Sequence, residues 1–193
     1  GELDEQKERE HFIRSMQETL ENVVPYAKEQ LLKEYITCSY DNDNFDSFQK
    51  LFHLNMPSTK VRMILFQLEG DYQIEQLIAL KAIAERIFEE YILSCLVGKM
   101  YLILLEDDQT NSVLHETIVR IRDSFNQYYP IDCTIAVSDS DEIRHSNRLY
   151  KEALDCLNYR FYLGEGSIIT KDDIAHQYGQ EEIEYHFDDQ KFC

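Results

Sequence analysis

The chain has 193 residues, 44% of them apolar and only three of them proline, which suits one substantial core with a helical extension and excludes a disordered chain. Its 37 acidic against 19 basic side chains leave a net charge of −18, which repels phosphate backbones and argues against direct nucleic-acid contact by this fragment. No apolar run reaches the length of a membrane span, no signal peptide is visible, and five cysteines without a CxxC pair read as reduced thiols of a cytoplasmic protein.

The chain opens on Gly1 and enters a charged helical pattern at once, as an expressed piece of something longer would. Residues 3–38 read as helix. Ile13, Met16, Leu20, Val23 and Ala27 step by three and four, the seam of a coiled coil. Pro25 falls inside the run, so the helix either kinks there or restarts with proline in its first turn. The seam must either lie on the chain's own domain or pair with a second copy. Next comes a polar turn at residues 40–44, where Asp43 is placed to cap a short helix holding Phe45, Phe48, Leu51 and Phe52. The run DNDNFD there has a passing likeness to a calcium loop, but it lacks the glycine and the glutamate at the sixth and twelfth loop positions.

Residues 61–68, VRMILFQL, are apolar on both faces, as a central strand would be. Residues 72–91 carry Ile74, Leu77, Ile78, Ala82, Ile83, Ile87 and Tyr91 along one helical side. Two strands, 93–97 and 100–105, follow around a tight turn at Gly98-Lys99. Residues 114–128 form an amphipathic helix stopped by Pro130, and 131–137 a strand containing Cys133. Ser138, Asp139 and Ser140 offer caps for a last helix whose apolar face is Tyr150, Leu154, Leu157 and Phe161. Gly164 suits that helix's C-terminus, where a positive φ is needed, and Ser-Ile-Ile-Thr at 167–170 reads as a short strand. Residues 171–193 are acidic and lack a clear period. Strand, helix, hairpin, helix, strand, helix, strand is the order of an α+β layer fold.

Tyr150, Glu152-Ala153, the run YRFYLG from Tyr159 and GSII from Gly166 resemble the end of the central domain of AraC/YesN-type response regulators. In that family the central domain is a degenerate GGDEF (diguanylate cyclase) module set between a receiver and a helix-turn-helix pair. The resemblance implies a nucleotide-cyclase palm, a ferredoxin-like sheet with helices, over residues 39–170. It favours the stalk reading for residues 1–38, with a homodimer formed through that helix. It makes 171–193 an acidic linker toward DNA-binding helices that the fragment lacks.

A working cyclase of this kind holds two divalent metals on carboxylates at the end of the first strand and in the hairpin. Aligned on those elements, Gly-Gly-Asp-Glu-Phe falls on Val97, Gly98, Lys99, Met100 and Tyr101, so the hairpin acids become a cation and an apolar group. The first strand's aspartate falls near Gln67, with Glu69 and Asp71 as remaining acids. No phosphate loop, HExxH or GxSxG occurs, and His11, His53, His115, His145, His176 and His186 lack ligand spacing. His145 with Asp139 or Asp141 reads as capping and surface charge, and Glu106-Asp107-Asp108 as a solvated turn. No catalytic, cofactor-binding or metal-ligating residue is therefore assigned. The expectation is a non-catalytic relay and dimerisation domain of a two-component transcriptional regulator; the alternatives are a small-molecule sensor or an active cyclase.

Overall fold

The computed structural model describes residues 1–38, 49 and 59–175. The turn at 40–44, the helix expected after Asp43, the calcium-like run and residues 176–193 lie outside the described residues. Contacts divide the chain into two units, Gly1–Tyr40 and Asp41–Cys193.

The first unit holds one helix, α1 (Glu2–Thr37), 36 residues long. Glu2, Asp4 and Glu5 in its first turn complement the positive end of the helix dipole. Pro25 lies inside an uninterrupted helix rather than at a restart. Ile13, Met16, Leu20 and Val23 are each 50–54% exposed. The helix stops at Cys38, which turns extended while its N–H still reaches the carbonyl of Glu34 at 2.9 Å.

In the second unit the central strand is β1 (Lys60–Leu68). Strand β3 (Met100–Glu106) and strand β4 (Cys133–Val137) flank it, both antiparallel. Strand β2 (Leu93–Val97) lies outside β3, and the short β5 (Asp141–Glu142) pairs with the start of β1. Strand β6 (Ile168–Thr170) lies parallel to β4. Among the described residues the order is β2-β3-β1-β4-β6. Its first four strands have the ferredoxin-like order, and with the connecting helices this is the α+β palm expected above.

Helices α2 (Ile74–Phe88) and α3 (Asn111–Tyr128) cover one face. Leu77, Leu80, Ile118 and Phe125 pack there on Ile64, Phe66, Ile103 and Ile135. Helix α4 (Ser146–Asn158) packs on β1 and β4 and buries Leu149, Ala153, Cys156 and Leu157. Both faces of β1 are thus covered, which is why its sequence is an almost unbroken apolar run. Each of Ile64, Leu65 and Phe66 is fully buried, worth about 1.5–3 kcal/mol per side chain relative to exposure. Helix α2 starts with a reciprocal cap between Gln73 and Gln76, and α3 starts at Thr110, whose hydroxyl accepts the N–H of Val113 at 3.3 Å.

Several local expectations are corrected. Helix α2 ends at Phe88, short of Tyr91, because Glu89 adopts φ 65° and ψ −49° and the N–H of Glu90 bonds the carbonyl of Phe88 at 2.7 Å. This is a tight left-handed turn that costs a non-glycine residue. Ser138 does not cap α4: its hydroxyl accepts the N–H of Met63 and donates to the carbonyl of Asp139, tying β4 to β1. Strand β5 and one turn at Ile143–His145 intervene before α4 begins. Phe161 is not on a buried face. The helix breaks at Tyr159, and the four-residue α5 (Arg160–Leu163) leaves Phe161 80% exposed. Cys95, Cys133 and Cys156 are buried thiols, and Cys38 is exposed.

Gly164 takes φ 93° and ψ 153°, a region open essentially to glycine alone, with no atom near the position of an added Cβ. The cost of a side chain there is therefore conformational rather than steric. Gly164→Val is expected to destabilise the domain by about 1–3 kcal/mol, read as a lowered urea midpoint at unchanged m-value. An unchanged midpoint would contradict the assignment.

Candidate functional site at the hairpin and the end of strand β1

Pairing of β1 with β3 sets Gln67 directly across from Met100 and Phe66 across from Tyr101. The fold therefore brings together the two places where the resemblance puts metal carboxylates, the end of β1 and the hairpin tip. The tip is two residues long. Gly98 has φ 58°, the conformation that a glycine at the first central position of such a turn supplies. Lys99 is exposed, and its carbonyl accepts the phenol of Tyr72 at 3.0 Å, which fixes the tip to the segment leading into α2. Asp71 is exposed.

Glu69 lies inward, its side chain 9% exposed. It accepts the hydroxyl of Thr134 at 2.8 Å and faces Arg160 Nε at 3.3 Å. Arg160 also lies 4.7 Å from the centre of the Phe161 ring and donates to the carbonyl of Leu157. Thr134 in turn accepts the N–H of Gly166, whose carbonyl accepts from Arg122 at 3.0 Å. The acid at the strand end is thus already held by a cation, and through it β1 is joined to the glycine turn after α5. No sequence spacing links residues 69, 134 and 160. The only hint was that Arg160 stands inside the run resembling the response-regulator domain.

Behind the tip, Tyr101 is buried in the aromatic position of the motif, its ring 5.2 Å from that of Phe66. Its hydroxyl and that of Ser94 lie 2.7 Å apart, and Ser94 donates to Glu85, which also pairs with Lys81. Burial pushes the Tyr101 phenol well above its ordinary range against the opposing Ser94 hydrogen bond. Burial likewise pushes the Cys133 thiol on β4 up to about 12.

The other sequence candidates lie elsewhere. His145 Nδ1 is 3.1 Å from Asp141, which also pairs with Arg148. Partial burial opposes the Asp141 charge, but the adjacent His145 and the hydrogen bond from Arg148 win and hold its carboxyl well below the usual range. Asp107 pairs with Arg62 at 2.9 Å, and Arg62 also reaches Asn111 at the start of α3. Among the described residues no group of three or more His, Cys, Asp or Glu side chains is placed to hold a metal ion. A cleft of about 620 Å³ opens at the sheet end opposite the hairpin, with Phe88, Glu89, Tyr91, Asp107 and Leu114 in its wall. Among the described residues no helix is long and apolar enough to cross a membrane.

No family model matches this chain, and no curated protein does. Solved structures do. The chain is similar to the active GGEEF domain of a diguanylate cyclase from Vibrio cholerae (16% identity, TM-score 0.47), over 65% of this chain and 89% of that one. It is similar to the coiled coil and GGDEF domain of DgcB from Caulobacter crescentus in complex with c-di-GMP (9%, TM-score 0.43), over 83% and 98%. A microbial GGDEF domain described with bis-(3′,5′)-cyclic di-GMP is also similar (10%, TM-score 0.43), over 65% and 84%. The expectation that the chain is not an enzyme is withdrawn: its structural neighbours are diguanylate cyclase domains, one of them active, and Lys99 with Met100 does not by itself establish a lost activity.

Two outcomes follow from the geometry. Arg160→Gln is expected to cost about 1–3 kcal/mol by leaving the Glu69 charge inside without its cation. Glu69→Gln in the same chain recovers part of that loss in a double-mutant cycle; strict additivity would mean the pair is not coupled. The Cys133 thiol has an ordinary value of 9.0 and a raised value in the fold, so the unfolded chain ionises first. Its contribution is complete below pH 9 and lost as pH rises toward about 12. Stability is expected to fall between pH 9 and pH 11 (ordinary thiol value 9.0), less steeply in Cys133→Ala.

Proposed function

We propose that this chain is the signal-relay and dimerisation domain of a bacterial two-component transcriptional regulator. In this reading α1 joins an upstream receiver to the GGDEF-like palm, and the segment beyond β6 leads to DNA-binding helices. The observation that carries it is the exposed seam of α1. Ile13, Met16, Leu20 and Val23 remain 50–54% exposed, and leaving such side chains in water forfeits roughly 1.5–3 kcal/mol each relative to full burial. A symmetric partner is the commonest way for a soluble chain to cover such a face. A helix shared between two copies can carry a shift or rotation from one flanking domain to the other.

The resemblance of YRFYLG and GSII to the response-regulator domain supports the same reading, and the coiled coil of one structural neighbour is compatible with it. Sedimentation is expected to detect self-association that disappears when residues 1–24 are removed. A chain that stays monomeric at high concentration would overturn the relay. The natural gene, read in full, is expected to encode a receiver before this segment and a helix-turn-helix pair after it.

A further inference from the structure

The exposed face of α1 is wider than a two-helix seam. Placing Ile13, Leu20 and Ala27 at heptad position a puts Met16 and Val23 at d. In that frame Phe12 and Tyr26 stand at g and Val24 at e, and they are 65%, 65% and 41% exposed. The apolar arc covers roughly 160° of the helix circumference at 3.6 residues per turn. A strict a/d stripe is the narrow seam of a pair, whereas apolar residues added at e or g mark a helix enclosed by more than one neighbour.

Charge placement agrees. Two-stranded coils commonly put charged residues at e and g to make interhelical ion pairs. Between residues 12 and 27 those positions hold Phe12, Gln17, Thr19, Val24 and Tyr26, none of them charged. Arg14, Glu18 and Glu21 all fall at b or f, on the opposite side, together with Pro25. The core identities agree as well. A β-branched residue at a with leucine at d favours two strands, while leucine at a with isoleucine at d shifts the preference to three or four. Leu20 at a with the β-branched Val23 at d is close to the second pattern, whereas Ile13 at a with Met16 at d follows neither.

We infer that α1 associates as a bundle of four copies, so that the working unit is a pair of dimers joined through residues 12–27. This rests on the relay reading above and specifies the partner that covers the seam: three further copies of this chain. A bundle buries the aromatic g positions that a pair would leave wet, and it brings four palms into one assembly.

Sedimentation equilibrium and light scattering on the whole 193-residue chain test it. The expected mass is four times that of the 23.0 kDa chain. Exchanging core identities, with Leu20→Ile and Val23→Leu together, is expected to halve the mass while far-ultraviolet circular dichroism stays unchanged. Phe12→Gln with Tyr26→Gln, which leaves the a/d seam intact, is expected to do the same. A wild-type dimer would overturn the bundle and leave the relay standing, whereas a monomer would overturn both. A tetramer indifferent to both double variants would place the contact on another surface and overturn the bundle.

Discussion

Everything in the palm hangs on keeping β1 dry on both faces and hydrogen-bonded on both edges. Its inner residues Ile64, Leu65 and Phe66 have no exposed surface, so a shift in register against β3 or β4 would drive polar neighbours such as Gln67 into the core. The interactions at its two ends show what guards that register. At the start, Arg62 grips Asp107 and Asn111, fixing β3's end and α3's beginning to the strand. In the middle, the Met63 backbone exchanges hydrogen bonds with Ser138. At the far end, Glu69 is clasped by Thr134 and Arg160. Polar side chains thus do at the rims what dispersion does inside.

The same arrangement bears on the chemistry of the hairpin. The positions where the sequence resemblance puts metal-holding acids are Gln67, Lys99 and Met100, and of these Gln67 and Met100 face each other across the β1–β3 ladder. Glu69, the nearest inward acid, already has a cationic partner and a hydroxyl donor. Any divalent ion drawn to this carboxylate must compete with Arg160 and repay the rearrangement of the glycine turn behind it.

Local patterns carried most of the architecture into the sequence. The two-sided apolar run of β1, the Gly98 turn and the helix-glycine-strand passage ending in β6 each depend on residues close together in the chain, and each was readable. What was not readable depends on distance or on a local compromise. Ser138 looked like a cap because caps are judged by their neighbours, whereas its real partner, Met63, is a β1 residue. Phe161 continued a helical period that Tyr159 breaks. Glu89 carries no mark of its positive φ, since the strain is imposed by the need to turn from α2 into β2 within four residues. The union of Glu69 with Arg160 exists only once α4 has crossed the sheet.

Direction is the remaining consequence of the sheet. Strand β1 begins at the pole away from the hairpin, and β6, running parallel to β4, heads back toward that pole. The backbone therefore enters and leaves this sheet on the same side, separated by the width of β4. A tug on the incoming segment has only two ladders to cross before it is felt by the outgoing one. The hairpin, at the opposite pole, lies outside that short mechanical path, so the two poles are free to answer different demands.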